Sequence, residues 1–324
     1  MNLRAVVLVV GVVAFTGVVA SPPAFAWDDF GHMEVAAVAY PKLNAKAKKK
    51  VAALLKLNPR YALWVSGVKA ADAERVAFMR AATWADSIKS DAGYKDDQQT
   101  APTAGQNVGY TDKLKHAYWH FVDQPYAADA TPGAAALAPN ALTQIGLLRA
   151  ALATAATTDD VKSYDLVWLL HLVGDVHQPL HCVSRYDVAD PKGDRGGNNV
   201  LITNAAQPAV CDDPRYCPFG PPNELHAFFD DIEGAGYAVE PPYVAAGKLA
   251  KADKTKAAIA DENVWVAEGL ELAKTAVYVA PIGLGDGPFA IDAAYQAAAE
   301  KLGRARIALA GARLANLIND ALGK

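Results

Sequence analysis

Cysteine is scarce in this chain. Three occur among its 324 residues, Cys182, Cys211 and Cys217, and no pair has the C-x-x-C spacing, so a thiolate zinc site is excluded. In an oxidising compartment three cysteines allow one disulfide and leave one thiol. Cys211 and Cys217 stand close together in a proline-rich loop and are the preferred pair, which leaves Cys182 a structural role. No N-x-S/T sequon occurs, so N-glycosylation is not expected. A basic stripe is also missing: 31 Lys and Arg face 35 Asp and Glu, a formal charge of −4, which by itself argues against a broad electrostatic footprint for a polyanion. There is no internal repeat, no heptad array and no shift of composition that would mark a second domain.

A long apolar run occurs at the N-terminus. Arg4 precedes an almost wholly apolar stretch, Val6 to Ala20, and small residues then lead to Ala24-Phe25-Ala26 with Trp27 next. This is the pattern of a signal peptide with an A-x-A cleavage site. An uncleaved membrane anchor is the weaker alternative, because the run is short for a span and the cleavage pattern follows it directly. Residues 1–26 are therefore expected to be removed, leaving one domain, 27–324, that is secreted or periplasmic and has no membrane segment. Cleavage removes one basic residue and no acid, moving the formal charge to −5.

Within 27–324 the apolar spacing is mostly helical, over Glu34 to Tyr40, Lys46 to Leu57, Glu74 to Lys89, Leu142 to Ala155, Tyr164 to Val176, Lys256 to Val279 and Ala293 to Leu322. Three stretches rich in Gly, Pro, Asp or Asn read as loops: Asp91 to Lys113, Tyr126 to Asn140 and Asp187 to Pro222. The best strand signal is Val200 to Thr203, expected as half of a small hairpin. The spacing predicts a mainly α, single-domain, multi-helix fold with long loops and at most that hairpin.

The seven histidines carry the functional argument. His171 and Asp175 lie four apart in an apolar helical segment, so both side chains face one way, roughly 6 Å apart. His226 and Asp230 repeat the H-x-x-x-D spacing among bulky apolar residues. One such pair is compatible with a surface ion pair. Two pairs embedded in apolar sequence need a partner, and zinc is the usual one. Pro179 ends the helix after Asp175 and lets His181 return toward the same place. His120 and Asp86 have aromatic neighbours suited to excluding water, and His32 opens the first helix of the mature chain. His116, beside basic residues, is expected to be exposed; His177 is expected to point away and bond to backbone.

The order Trp27, His32, Asp86, His120, His171-x3-Asp175-x5-His181, His226-x3-Asp230 resembles the zinc-dependent single-strand-specific nucleases of fungi and plants, which share a fold with bacterial zinc phospholipase C. The resemblance covers the mature chain, including the Gly193-Asp-Arg-Gly-Gly-Asn198 loop and the terminal helix around Ile307. It implies three zinc ions. One would take Asp86, His120, His171 and Asp175. A second would take His181, His226 and Asp230. The third would take the α-amino nitrogen and carbonyl oxygen of Trp27 with His32, and share Asp175 as a bridge. Cleavage after Ala26 would then create a ligand.

The resemblance also implies a mechanism and substrate. Three zinc ions and three aspartates make a formal +3 before any hydroxide, so an overall acidic protein can still hold phosphate. Water between two zincs, typically about 3.5–4 Å apart, would be the nucleophile, and the product would carry a 5′-phosphate. Asp175 is thereby catalytic. Lys89 would stabilise phosphate charge, its alternative being a solvated helix cation. Asp123 would orient water or bond a base, and its alternative is loop capping. Phe121 would stack on an unpaired base, or else pack in the core. Asn198 would touch phosphate or base. The substrate would be single-stranded DNA and RNA, with 3′-nucleotides, and no obligate protein partner is evident. Zinc phospholipase C is the nearest alternative, although Asp230 stands where that enzyme has Glu and Phe121 suits a base better than choline. A secreted zinc-binding protein without catalysis leaves Lys89, Asp123 and Phe121 unexplained.

Overall fold

The computed structural model describes residues 27–211 and 220–324. The signal-peptide reading of residues 1–26 and the pairing partner Cys217 lie outside them. Among the described residues there are twelve α-helices: α1 (Asp29–Ala39), α2 (Ala45–Leu55), α3 (Tyr61–Trp64), α4 (Ala73–Ala81), α5 (Trp84–Ser87), α6 (Ala141–Ala153), α7 (Asp159–Asp175), α8 (Leu225–Asp230), α9 (Glu240–Ala246), α10 (Lys254–Ala257), α11 (Glu262–Leu272) and α12 (Ala293–Leu322). The architecture is mainly α, a single domain with long loops, as the periodicity predicts. None of these helices is long and apolar enough to cross a membrane.

Local chemistry explains where the helices begin. Asn44, Asn140, Thr158, Asp261 and Asp292 accept backbone N–H bonds at the starts of α2, α6, α7, α11 and α12, and Asn140 forms a capping box with Thr143. Asp159 and Asp160 add negative charge to the first turn of α7, where the helix dipole favours it. Every residue of α7 from Ser163 to Asp175 is buried. A helix apolar on all sides belongs at the centre, and α7 has α1, α2, α6 and α12 packed around it. Close approach sets the crossing of α1 and α12: a Cβ at Gly311 would lie 2.5 Å from that of Val38.

Two expected helices are interrupted. The segment Glu74 to Lys89 breaks at Ala82–Thr83, and Lys256 to Val279 divides into α10, α11 and a π-helical turn, Ala273–Val277. The expected antiparallel partner is reduced to one bridge, Leu201 with Glu224, where Ile202 N–H donates to the Asn223 carbonyl and Leu225 N–H to that of Val200. Ile202–Thr203 (β3) pairs in parallel with Phe289–Ala290 (β4), a partner far along the chain. A second parallel pair joins β1 (Pro125–Ala127) to β2 (Ser184–Tyr186). That pair lies just beyond His120 and His181 in sequence and brings their two segments together.

Candidate metal centre

Five short stretches converge beside the end of α7. His32 is in the first turns of α1, and its ring stacks on His171 of α7 with centroids 3.7 Å apart. Its Nε2 lies 3.2 Å from Asp175 Oδ1. Asp86 comes from α5. His120 comes from a 3-10 turn, Ala117–His120, and places Nδ1 3.0 Å from His171 Nε2 and 3.1 Å from Asp175 Oδ2. Pro179 opens another 3-10 turn, Pro179–Cys182, because proline cannot extend the α7 ladder, and this turn delivers His181. The short helix α8 carries His226 and Asp230, with His226 Nε2 3.4 Å from Asp230 Oδ2.

Three buried groups result whose ligand atoms lie within 4.8 Å of one another: His32, His171 and Asp175; Asp86, His120 and His171; and His181, His226 and Asp230. The eight His and Asp side chains expected at the site are thus brought together. Trp27 joins them: it is fully buried, its indole donates to the Gly174 carbonyl at 3.2 Å, and Asp28 N–H donates to the Asp230 carbonyl at 3.1 Å. Gly174 makes room for this crowding, since a Cβ there would lie 2.8 Å from His32 Nδ1.

Hydrogen-bond chemistry tests whether these groups suit a cation. His181 Nδ1 donates to the His120 carbonyl at 2.8 Å, and His226 Nδ1 to the Gly196 carbonyl at 2.6 Å. A carbonyl only accepts, so each ring carries a proton on Nδ1, and in its neutral form each turns a lone pair outward at Nε2. Yet the two Nε2 atoms face one another at 3.1 Å. Two lone pairs at that distance repel unless a cation lies between their directions. His171 is fixed in the same way, by Nδ1 on the Ala82 carbonyl at 2.6 Å. Both ring nitrogens of His32 and both oxygens of Asp175 are buried without a hydrogen bond. Such a donor set, its rings held by an outer ring of backbone acceptors, could hold a metal ion.

Electrostatics agree. Burial holds the His32, His120 and His181 rings well below their ordinary pKa, with the charges of His171, Lys89 and His226 respectively adding to it, and so keeps them in the neutral form that can ligate metal. Burial pushes Asp175 up to about 8, and Asp86 adds to that rise. Asp230 is raised by burial as well, despite a 2.8 Å hydrogen bond from Gln178. Asp86 behaves differently. Burial opposes its ionisation, but Lys89 and the imidazoles outweigh burial and hold it well below the usual range.

Lys89 is not a solvated cation: its ammonium sits 2.6 Å from Asp86 Oδ1 in a nearly buried ion pair. Phe121 is half-buried, and with Asp123, Tyr186, Gln99 and Asn140 it lines a pocket of about 130 Å3. Burial raises Asp123 to about 6, with Asp194 adding and Arg195 opposing. Wider grooves of about 760 and 910 Å3 run along α12 and contain none of the clustered His and Asp. Asn198 donates its side-chain amide to the Arg195 carbonyl at 2.6 Å, so one amide proton is committed within its own loop.

Other histidines and cysteines fall elsewhere. His177 bonds the Val173 carbonyl and meets Arg313, away from the cluster as expected. His116 is buried, contrary to expectation. Its ring lies between Asp97 (2.7 Å) and Asp112 (2.8 Å) and stacks on Trp119. The basic neighbours in sequence gave no sign of those distant carboxylates. Cys182 is a buried free thiol and packs closely on Gly269. Sequence reasoning missed Gln178, Gln99 and Tyr186; only Gln178, between two expected ligands, carried any signal.

The chain belongs to the S1/P1 nuclease family, whose model matches residues 27–323. No curated protein matches it. Membership makes the chain a nuclease, a hydrolase of phosphodiester bonds with nucleic acid as its substrate.

Proposed function

We propose that this protein is an exported, zinc-dependent endonuclease that cuts single-stranded DNA and RNA, and 3′-nucleotides, to leave 5′-phosphates. The observation that carries the zinc reading is the opposed pair of Nε2 lone pairs on His181 and His226, 3.1 Å apart with both Nδ1 protons held by carbonyls. Three zinc ions would be held by Asp86, His120, His171 and Asp175; by His181, His226 and Asp230; and by His32 with the amino nitrogen and carbonyl of Trp27, Asp175 bridging. The family match begins at Trp27, which supports cleavage after Ala26, a domain over 27–324 and export. A disulfide between Cys211 and Cys217 belongs to the same reading.

Zinc bound there supplies Lewis acidity, lowering the pKa of water and neutralising phosphate charge. The chain's own residues do the rest. Asp175 orients toward two ligand groups at once. Lys89 places a positive charge against Asp86, where it balances the carboxylate and meets an incoming phosphate oxygen. Phe121 offers a ring to a base, which only an unpaired strand can present. Asp123, pushed up to about 6, holds a proton for part of the neutral range and so can donate to or accept from a base edge. Asn198 adds a polar contact at the rim.

Metal analysis with a substrate panel tests the reading: purified protein should contain about three zinc ions and release acid-soluble nucleotides from single-stranded DNA far faster than from duplex. Hydrolysis of phosphatidylcholine in preference to DNA would overturn it.

A further inference from the structure

The Gly193–Asn198 loop holds three consecutive residues with left-handed backbone: Arg195 at φ 56°, Gly196 at 64° and Gly197 at 83°. Glycine adopts this region freely, and at Gly196 nothing larger fits, because a Cβ would lie 2.3 Å from the Leu180 carbonyl oxygen. Arg195 is the exception. A side chain with a Cβ is disfavoured in this conformation, so the backbone strain comes with whatever the guanidinium does there.

The loop is tied to the candidate centre at several atoms. Arg195 N–H donates to Ser184 Oγ at 3.3 Å, and its carbonyl accepts from Asn198 at 2.6 Å. The next carbonyl, Gly196, is the one that fixes His226 Nδ1. Arg195 therefore stands one residue from an atom that orients a ligand histidine. Its side chain is exposed, and among the described residues the guanidinium makes no ion pair or hydrogen bond. Its charge is nonetheless felt at Asp123, where it opposes the rise caused by burial. An uncommitted cation thus stands one residue from the atom that fixes His226 and within electrostatic reach of Asp123.

We propose that Arg195 binds a phosphate of the substrate strand adjacent to the phosphate being cleaved, an assignment that rests on the single-strand nuclease reading above. A guanidinium matches phosphate oxygens in a planar fork. Its exposed side chain, one residue from the carbonyl that fixes His226 and within electrostatic reach of Asp123, suits a phosphate next to the reacting bond rather than the reacting bond itself.

Arg195→Gly tests this without disturbing the backbone, since glycine accepts φ 56°. Melting temperature should hold or rise and zinc content should be unchanged. At low salt KM for a single-stranded oligonucleotide should rise about three- to tenfold, an exposed charge–phosphate contact being modest. The slope of log affinity against log salt, read by fluorescence anisotropy, should fall by about 0.7, the value for one phosphate contact on a single strand. The loss on bis(p-nitrophenyl) phosphate, which has no neighbouring phosphate, should be at least threefold smaller, and Arg195→Lys should restore most of the salt slope. An unchanged slope, or equal losses on both substrates, would overturn the assignment. A wild-type protein that binds the oligonucleotide without cutting it would instead count against the nuclease reading, and the binding slope would still judge Arg195.

Discussion

His181 and His226 point their Nε2 atoms at each other from 3.1 Å, while their Nδ1 protons are engaged on the carbonyls of His120 and Gly196. With both rings neutral this arrangement is repulsive unless a cation lies between them, so metal binding is expected to stabilise the fold. Chelation by 1,10-phenanthroline should lower the melting temperature by roughly 10 °C or more, and added zinc should restore it, because ligands that bind only the folded state stabilise by mass action. A melting temperature indifferent to chelator would show that the opposed rings are not a metal site.

Trp27 is fully buried, and its indole donates to the Gly174 carbonyl at 3.2 Å. Mass spectrometry of exported protein should find the chain beginning at Trp27. A recombinant form with one extra residue before Trp27 should bind about two zinc ions instead of three, since the α-amine is lost as a ligand. Equal zinc content in the two forms would remove Trp27 from the ligand set.

Asp175 touches both His32 and His120, whereas Lys89 sits against Asp86. Asp175→Asn should reduce kcat by about 10^3-fold or more and lower zinc content. Lys89→Ala, which removes one charge from the phosphate environment, should cost about 10^1–10^2-fold with zinc retained. Kinetics and metal analysis on both variants check the order; equal losses with zinc unchanged in both would argue against a bridging role.

Phe121 is half-buried at the mouth of its pocket, so it has a face to offer. Phe121→Ala should weaken binding of nucleic acid and nucleotides by about 1–3 kcal/mol per stacked base, and weaken bis(p-nitrophenyl) phosphate much less. A purely packing role predicts a lower melting temperature and proportional losses on every substrate.

Asp165 is a buried carboxyl in α7, raised by burial to about 7, with one oxygen held by Asn107 at 2.6 Å and the other without a partner. Because the folded-state pKa lies above the unfolded value near 4, its protonation favours the fold at low pH. That contribution disappears as pH rises through about 7. Asp165→Asn should therefore raise stability at pH 8, by on the order of 2 kcal/mol, and change little at pH 4. Urea unfolding at the two pH values decides it; a variant no more stable at pH 8 would show that the ionised carboxyl is accommodated.

What could be read from the chain was whatever depends on near neighbours. The i,i+4 spacing of His171 with Asp175 and of His226 with Asp230 needs only a helix to bring the side chains together, and both helices form. Pro179 likewise ends α7 where its missing N–H requires. What escaped was decided by distant partners. Ile202 pairs in parallel with Phe289, far along the chain, and no local pattern reports that partner. The burial of His116 depends on Asp97 and Asp112, whose approach no periodicity reports. The break at Ala82–Thr83 left no mark either, although the Ala82 carbonyl beside it is the atom that orients His171.

His120 faces the Asp86–His171 group with its ring, and with its own carbonyl it holds the ring of His181. Val122 N–H returns a bond to the His181 carbonyl at 2.7 Å. The distance between two ligand groups is therefore measured across a single amino acid, as on a ruler one residue long. Substitutions in the surrounding side chains cannot lengthen that ruler, because its graduations are backbone atoms. Sequence drift around the site can change what is gripped while leaving the span between the gripping points as it was.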